Sequence, residues 1–282
     1  MSIRSEYAFT REYRGKVKGV VLDWSGTTAD AYVIAPAVVF VEVFRNQGVI
    51  ITMEEARGPM GLRKDLHIKA LTEVPEISER WKEVKGAHPD QGDVDAMFAD
   101  FVPLQLACLN EYTTLLPGVA ATVGKLQAEG VKIGSSTGFT RVMVDVLEEA
   151  AAEQGYVPDA SVAGDEVLHG ARPRPFMVYR NLDLMDVSPI QSVVKVDDTI
   201  SGVGEALEAG CWGVGVARYS NYMNVDSLDE AASLSEEEIA RRVARTRRIL
   251  EQAGAHYVVD SLVELPDVIE DINARLARGE KP

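Results

Sequence analysis

Polar side chains that suit phosphoryl chemistry follow three separate apolar runs of the sequence. Asp23 comes directly after residues 19–22, Thr137 comes shortly after residues 131–134, and an acidic pair follows residues 192–196. Carboxylate oxygens are ligands that Mg²⁺ prefers, and Mg²⁺ commonly bridges them to a phosphoryl group. A hydroxyl and free backbone amides around Thr137 can bind phosphoryl oxygens. These residue types predict a Mg²⁺-assisted phosphoryl site.

Two roles at this site, the metal ligand and the fixed cation, can each be assigned to more than one residue. Asp197 and Asp198 are adjacent, so we do not expect both side chains to face the site, and we favour Asp198 as the metal ligand with Asp197 supporting it. Arg172 can supply a fixed positive charge. Lys195 is a rival for that role, but it falls inside a predicted strand, where a buried lysine is equally plausible. The sequence therefore favours Arg172.

The apolar runs before these residues are typical of buried parallel strands. Continuous runs rich in Val and Ile belong to a sheet that is covered on both faces. Helix-like stretches separate them at 119–129, 140–154 and 202–209, and two of these stop at a glycine placed as a C-cap. This alternation predicts a doubly wound α/β domain, whose ligands sit beyond the carboxyl ends of the strands. The predicted strands are residues 19–22, 131–134, 192–196, 212–216 and 257–259.

One interval breaks the alternation, because no strand-like run appears in residues 33–112 and helical patterns follow one another there. Thr52 and Glu55, for example, form a capping-box pattern at the start of a helix. We predict that residues 33–112 form an all-helical cap domain. Residues 1–32 and 113–282 would form the α/β core domain into which it is inserted.

Taken in order along the chain, the polar residues resemble the motifs of the haloacid dehalogenase superfamily of phosphotransferases. The matching residues are Asp23, Gly26, Thr27, Thr137, Arg172, Asp197 and Asp198. The resemblance implies that Asp23 is the nucleophile. It also implies that Mg²⁺ is held by Asp23, Asp198 and the backbone carbonyl of Ser25. Thr137 and Arg172 would then stabilise the charge of the phosphoryl group.

The residue two positions after the nucleophile departs from the phosphatases of this superfamily. Those enzymes carry a second aspartate there, which protonates the leaving-group oxygen, whereas this sequence has Ser25. A serine hydroxyl is far too weakly acidic to act as a general acid near neutral pH. Either the leaving group needs no carboxylic acid, or the protein is slow or inactive on ordinary phosphate esters.

A motif in the helical insert favours the first of these explanations. Residues 60–71, MGLRKDLHIKAL, look like the PMGLxKxxHxxAL segment of the phosphonoacetaldehyde hydrolase family. The resemblance implies that Lys64 forms an imine with an aldehyde. Breaking a carbon–phosphorus bond expels a carbanion, and the imine provides an electron sink for it, so no acid need protonate an oxygen. Met60 is similar to a family methionine near the imine, and His67 shares a helix face with Lys64 and could relay protons.

Each residue of this motif also has a purely structural interpretation. Lys64 could be a solvated lysine on an amphipathic helix, and Met60 and His67 could be packing residues. The surrounding match favours the catalytic interpretation of Lys64 and leaves His67 about evenly balanced. At the tip of the second strand, Ser136 and Gly138 are the expected substrate-binding neighbours of the predicted phosphoryl site.

Three residues of this sequence differ from those of members of that family. These members carry tyrosine, cysteine and aspartate where this sequence has Phe139, Val33 and Gly202, respectively. The first two differences remove polar groups near the substrate, and the third removes a partner of the metal site. The differences therefore bear on the identity of the substrate more than on the type of reaction.

Composition excludes several other functional classes. Among 282 residues, 29 Lys and Arg stand against 44 Asp and Glu, and the net charge of -15 disfavours binding to nucleic acid. No run reaches the ~18 apolar residues of a membrane helix, and residues 1–16 lack the apolar region of a signal peptide, so we expect a cytoplasmic protein without membrane contact. Cys108 and Cys211 lie far apart, which disfavours a disulfide framework and a zinc site.

These observations predict a Mg²⁺-dependent hydrolase that cleaves the carbon–phosphorus bond of phosphonoacetaldehyde to acetaldehyde and phosphate. The reaction would pass through a lysine Schiff base and an aspartyl phosphate, and the resemblance also implies a homodimer. A phosphomonoesterase or phosphomutase of the same superfamily would use the same core, and Ser25 argues against it. A noncatalytic phosphoryl-binding homologue is the other alternative, and the complete set of core motifs argues against that.

Overall fold

A computed structural model describes residues 12–282, and within them six strands form one sheet. The strands are β1 (Gly19–Leu22), β2 (Lys132–Thr137), β3 (Ala160–Ala163), β4 (Val193–Asp197), β5 (Trp212–Val216) and β6 (Tyr257–Val259). Their order across the sheet is β3-β2-β1-β4-β5-β6, and all neighbouring strands are parallel. Because β2 and β4 lie on opposite sides of β1, the chain winds outward in both directions. This confirms the doubly wound α/β fold.

The first five helices all lie between β1 and β2. In residues 12–282 the α-helices are α1 (Ile34–Asn46), α2 (Met53–Arg57), α3 (Lys64–Thr72), α4 (Pro75–Lys85), α5 (Gln91–Leu109), α6 (Val119–Ala128), α7 (Arg141–Glu153), α8 (Phe176–Met185), α9 (Ile200–Ala209), α10 (Leu228–Ser233), α11 (Glu236–Gln252) and α12 (Leu265–Ala277). No strand interrupts α1 to α5, so the inserted segment is helical throughout, as the sequence predicts. We call α1 to α5 the helical insert.

The central strand β1 is buried on both faces of the sheet. Val20 and Leu22 pack into the larger apolar cluster, whereas Val21 packs on the opposite face beside Val178 and Val193. Successive side chains of a strand point to opposite faces, so each face of β1 receives apolar side chains. Packing on both faces of the sheet therefore holds the end of β1, and with it Asp23, in a fixed position.

Two features of the sheet differ from the sequence prediction. β3 was not predicted, because the edge strand Ala160–Ala163 is only four residues long and contains a single β-branched residue, Val162. β2 extends to Thr137, beyond the predicted end at residue 134, because Ser135, Ser136 and Thr137 continue to pair with β3. Polar residues that resemble a turn in the sequence thus lie in a buried strand.

The helical insert is organised around stacked aromatic rings. The ring of Phe40 on α1 lies 3.7 Å from that of His67 on α3 and 4.6 Å from that of Phe101 on α5, measured between ring centroids. Burial of each phenylalanine contributes about 1.5–3 kcal/mol. Thr52 and Glu55 form the predicted capping box at the start of α2. This packing fixes α3, whose first residue is Lys64.

Arg57 connects the insert to the first linker and to a loop of the α/β part. It is buried, and its guanidinium donates to the backbone carbonyl of Tyr32 at 2.6 Å and to the side-chain oxygen of Asn221 at 3.2 Å. It also donates to the backbone carbonyl of Val225. Charged donors make stronger hydrogen bonds than neutral ones. Arg57 therefore holds the insert against the linker and the loop together.

The segment before α3 packs closely on the end of β2. A Cβ atom added to Gly138 would lie 2.4 Å from the carbonyl oxygen of Leu62, a distance that no side chain tolerates. On the neighbouring side, the hydroxyl of Ser201 donates to the carbonyl of Met60 at 3.2 Å. Glycine at position 138 thus permits the backbones of the insert and of the sheet to meet.

None of the helices in the described part of the chain is long and apolar enough to cross a membrane. Residues 1–11, which form most of the N-terminal segment considered above for a signal peptide, lie outside the described residues. The interpretation of that segment stays a prediction.

Gly138→Ala is expected to loosen the contact between the insert and the sheet. The added methyl group must displace the backbone around Leu62, and overpacking of this kind costs about 1–3 kcal/mol. Hydrogen exchange of residues 60–66 should accelerate, and the thermal unfolding midpoint should fall. Gly124→Ala on α6 is the matched control, because a Cβ there meets nothing within 4 Å and should be neutral or stabilising. Unchanged exchange in Gly138→Ala would contradict this assignment.

Candidate active site

A narrow cavity lies where β1, β2 and β4 end beneath the segment that precedes α3. Eight of the residues predicted from the sequence line it, namely Asp23, Ser25, Met60, Lys64, Thr137, Gly138, Arg172 and Asp198. The space open to the centres of water molecules is about 20 Å³, which suffices for one or two waters. The insert therefore leaves little free space above the strand ends in this structure.

The other two predicted residues, His67 and Ser136, lie behind the wall of the cavity. His67 is fully buried, stacks on Phe40, and its Nε2 is 2.8 Å from the carbonyl of Ala56. Burial and the neighbouring Lys64 hold the pKa of His67 well below its usual value, so the ring is neutral. Ser136 directs its hydroxyl to Glu205 at 3.3 Å. Neither side chain lines the cavity, and their roles stay predictions.

The carboxylates at the ends of β1 and β4 form one acidic cluster. Asp23, Asp197 and Asp198 each offer an oxygen within 4.8 Å of the others. In Asp198, Oδ2 accepts the backbone N–H of Asn221 at 2.7 Å, while Oδ1 is buried without a partner among residues 12–282. Burial, followed by the charges of Asp197 and Asp23, raises the pKa of Asp198 well above its ordinary value. An oxygen-only cluster with one free buried oxygen fits Mg²⁺.

Asp197 differs from Asp198 because both of its oxygens are already engaged. Oδ1 accepts the backbone N–H and the hydroxyl of Thr199 at 3.0 and 2.7 Å. Oδ2 lies 2.8 Å from Nζ of Lys195 and 3.1 Å from Nη1 of Arg172. Burial opposes ionisation of Asp197, but Arg172 and Lys195 more than offset it and lower its pKa. The geometry supports Asp198 as a metal ligand and Asp197 as a support, and the carbonyl of Ser25 stays a predicted ligand.

Arg172, rather than Lys195, is the cation that faces the cavity. Its Nη2 donates to Oδ1 of Asp23 at 2.7 Å and to the backbone carbonyl of Ser136 at 2.6 Å. Burial disfavours its charge, but Asp197, Asp23 and Glu205 outweigh that effect and raise its pKa. Lys195 is buried and directs its amine toward Asp197, away from the cavity lining. A permanent positive charge therefore lies beside Asp23.

Lys64 reaches the cavity from the insert through an apolar environment. Its amine lies 4.5 Å from the ring centroid of Phe139 and 5.7 Å from that of Phe40. Burial, as the largest effect, and the charge of Arg172 together lower the pKa of Lys64 to about 8, although Asp23 acts in the opposite direction. At pH 7 a lysine with that pKa is about one-tenth neutral, whereas an ordinary lysine is almost wholly charged. The amine can therefore act as a nucleophile near neutral pH.

Position 202 has no room for an aspartate side chain in this structure. A Cβ on Gly202 would lie 1.8 Å from the carboxyl carbon of Asp197, which occupies this space. Phe139 and Val33, at the other two differing positions, both line the cavity. This part of the wall is therefore apolar, and Asp197 provides the carboxylate closest to position 202.

The sequence analysis missed Glu205 and Asn221. Glu205 on α9 is fully buried, and its Oε2 lies 3.1 Å from Nε of Arg172. Its signal in the sequence is an acidic residue within the apolar and small stretch of residues 200–210, which is unusual on a buried helix face. Asn221 positions Asp198 through its backbone N–H, and no pattern of side chains could have shown that.

Comparison with known proteins agrees with this geometry. A family model described as haloacid dehalogenase-like hydrolase matches residues 17–210. Phosphonoacetaldehyde hydrolase from Klebsiella pneumoniae is 44% identical over 268 residues, which cover 95% of this chain and 99% of that protein. A phosphonoacetaldehyde hydrolase-like protein from Syntrophobacter fumaroxidans is 42% identical over 277 residues, covering 98% and 99%. The crystal structure of a phosphonoacetaldehyde hydrolase like protein from Oleispira antarctica has a TM-score of 0.94 at 36% identity, covering 99% and 100%.

Asp198→Asn is expected to remove the stabilisation that Mg²⁺ gives to the wild-type protein. Without metal the variant should be at least as stable as wild type at neutral pH, because a carboxylate whose pKa is raised by folding destabilises the fold when it is charged. Thermal unfolding with and without millimolar Mg²⁺ measures both effects. Asp183→Asn, on the exposed side of α8, is the control. If Asp198→Asn gains as much from Mg²⁺ as wild type does, the metal binds elsewhere.

Proposed function

The chain belongs to the haloacid dehalogenase-like hydrolases and, within them, to the phosphonoacetaldehyde hydrolase family, and we propose that it hydrolyses the carbon–phosphorus bond of phosphonoacetaldehyde to acetaldehyde and phosphate. The observation that carries this proposal is the buried amine of Lys64 in the same cavity as Asp23. A nucleophile for phosphorus and a nucleophile for an aldehyde thus serve one small substrate. Mg²⁺, bound by Asp23 and Asp198, would supply positive charge that offsets the charge of the phosphoryl group.

The first step uses the neutral amine of Lys64. Its nitrogen attacks the aldehyde carbon, a proton is taken up from solvent as water leaves, and a protonated imine remains. Burial of Lys64 favours the neutral amine over the ammonium ion. His67 lies next to Lys64 with a neutral ring, and we keep it as a proposed proton relay for this step.

The second step breaks the carbon–phosphorus bond. A carboxylate oxygen of Asp23 attacks phosphorus, and the electron pair of the breaking bond moves into the iminium to give an enamine on Lys64. Arg172, which contacts Asp23 at 2.7 Å, and Thr137 stabilise the charge of the phosphoryl oxygens. No oxygen leaving group is formed, so Ser25 need not act as an acid.

The last steps release both products and restore the protein. The enamine takes up a proton at carbon, and hydrolysis of the resulting imine gives acetaldehyde and the free amine of Lys64. Water cleaves the aspartyl phosphate at Asp23 and releases phosphate. Because Lys64 and Asp23 belong to different parts of the chain, each turnover requires the insert to close over the sheet.

The domain division supports this cycle and is part of the proposal. Residues 33–112 would act as a cap domain that opens and closes over a core made of residues 1–32 and 113–282. The contacts of Arg57 with Tyr32 and Asn221 are the kind that would hold the closed arrangement. The homodimer and the cytoplasmic location expected from the sequence stay predictions.

Wild-type protein should release phosphate from phosphonoacetaldehyde in the presence of Mg²⁺, and Lys64→Arg should not. Arginine keeps the positive charge but cannot form the imine. Borohydride added with the substrate should reduce the imine in wild type and leave an adduct that mass spectrometry places on Lys64. A panel of phosphate monoesters tested in parallel should be turned over slowly or not at all, because Ser25 cannot protonate an oxygen leaving group.

Lys69→Arg is the matched control for this experiment. Lys69 lies on the same helix, its side chain is half exposed, and it is absent from the cavity lining. This variant should keep the activity and the adduct of wild type. Cleavage of phosphonoacetaldehyde by Lys64→Arg, or efficient hydrolysis of phosphate esters by wild type, would overturn the proposed function.

The pH dependence should follow the amine of Lys64. Its pKa is about 8, and below that value the neutral fraction falls tenfold for each pH unit, so kcat/KM should rise with pH and level off above about 8. Phosphate release measured from pH 6 to pH 9.5 gives the profile, and the yield of borohydride adduct should follow the same curve. A profile that falls between pH 6 and pH 8 would show that the charged amine is the active form.

A further inference from the structure

Arg172 lies in a loop, so no helix or strand holds the backbone from which its side chain extends. It lies between β3 and α8, in residues 164–175, which contain no helix or strand. Its guanidinium nevertheless meets Asp23 and the end of β2 at 2.7 and 2.6 Å. The geometry of such a group must come from the side chains that surround it.

Two carboxylates hold the far side of this guanidinium. Glu205 on α9 accepts from Nε of Arg172 at 3.1 Å, and Asp197 at the end of β4 lies 3.1 Å from Nη1. Nη2 remains for Asp23. A guanidinium is rigid and planar, so engagement of Nε and Nη1 fixes the direction of Nη2.

Lys195 completes a buried group of four charges with Arg172, Asp197 and Glu205. Its amine lies 2.8 Å from Asp197 and 3.8 Å from Glu205. All four side chains are at most 1% exposed. Two positive and two negative charges balance, so the group adds no net charge next to a substrate that is an anion.

A contribution to folding stability does not explain why a buried glutamate is found at position 205. Burial of a charge costs several kcal/mol, and a buried ion pair recovers that cost only when its remaining polar atoms are satisfied. Oε1 of Glu205 is buried and has no hydrogen-bond partner in the described part of the chain. Apolar residues of similar size in place of both Glu205 and Lys195 would fill this space without the cost of a buried ion pair. Asp197 would still pair with Arg172.

We infer that Glu205 is a positioning residue, which orients Arg172 so that its Nη2 meets Asp23 and the phosphoryl group. This inference rests on the proposed function. Glu205 reaches neither the cavity nor the substrate, and acts through Arg172. It should therefore matter for cleavage of the carbon–phosphorus bond and not for formation of the imine on Lys64.

Glu205→Met tests this role, because methionine has a similar length and offers Nε of Arg172 no carboxylate. We expect kcat for phosphate release to fall at least tenfold, with KM changed less than threefold. The yield of borohydride adduct on Lys64 should stay within twofold of wild type, because Arg172 and its charge remain in this variant and imine formation does not depend on the direction of Nη2. Glu205→Gln, whose amide oxygen can still accept from Nε, should recover part of the lost kcat.

A double variant separates orientation from charge balance. Lys195→Met combined with Glu205→Met removes one charge of each sign, so the buried group stays neutral and folding is protected. If Glu205 orients Arg172, kcat of the double variant stays at least tenfold below wild type while adduct formation is retained.

Three results would overturn the inference. They are recovery of kcat to within threefold of wild type in the double variant, unchanged kcat in Glu205→Met, and parallel loss of adduct and phosphate release in the double variant. The last of these would indicate a general structural role. Failure of the proposed function appears differently, as absence of phosphate release by wild-type protein, and would remove both proposals.

Discussion

The contact between Arg172 and Asp23 is the interaction on which the candidate site depends. Asp23, Asp197 and Glu205 all contact this one guanidinium, which makes their burial in a small volume tolerable. Without it, three carboxylates would face one another out of reach of water, at a cost of several kcal/mol for each charge. Asp198 makes no such contact and keeps a free buried oxygen. The acidic residues are thus divided between those that pair with a fixed cation and one that keeps an oxygen free for a further ligand.

The sheet topology brings these charges together. β1 lies between β2 and β4, where the winding direction reverses, and the residues that follow these three strands meet at one edge. Asp23, Thr137 and Asp198 come from these three strand ends. Parallel strands that are buried on both faces hold the residues at their ends rigidly. The oxygens of the acidic cluster are therefore in place before any ligand binds.

In contrast to the charged ends of the strands, the helical insert places an apolar ring beside Lys64. Phe40 of the insert and Phe139, which follows β2, present aromatic faces to Lys64, and burial lowers its pKa to about 8. An amine with a lowered pKa and the buried carboxylate of Asp23 therefore lie in one cavity, which neither part of the chain provides alone. Ser25, at the place of a phosphatase acid, fits this combination, since an enamine leaving group takes up its proton at carbon.

The sequence by itself determined the central strands of the sheet and the polar residues that follow them, because those signals are local. An apolar run that ends in Asp23, or a capping box at Thr52 and Glu55, is visible within a few residues. β3 escaped prediction because a short edge strand of small residues carries little local signal. Pairing with β2 is what forms it.

Only the tertiary structure decided which groups each polar residue contacts at the site. The sequence favours Asp198 over Asp197 as the metal ligand, but only the fold shows that Lys195 and Arg172 engage Asp197 while Asp198 keeps a free oxygen. The lowered pKa of Lys64 and the contact of Glu205 with Arg172 depend on groups brought together from distant parts of the chain. Burial and electrostatic interaction depend on distance in space, and no pattern along the chain contains that distance.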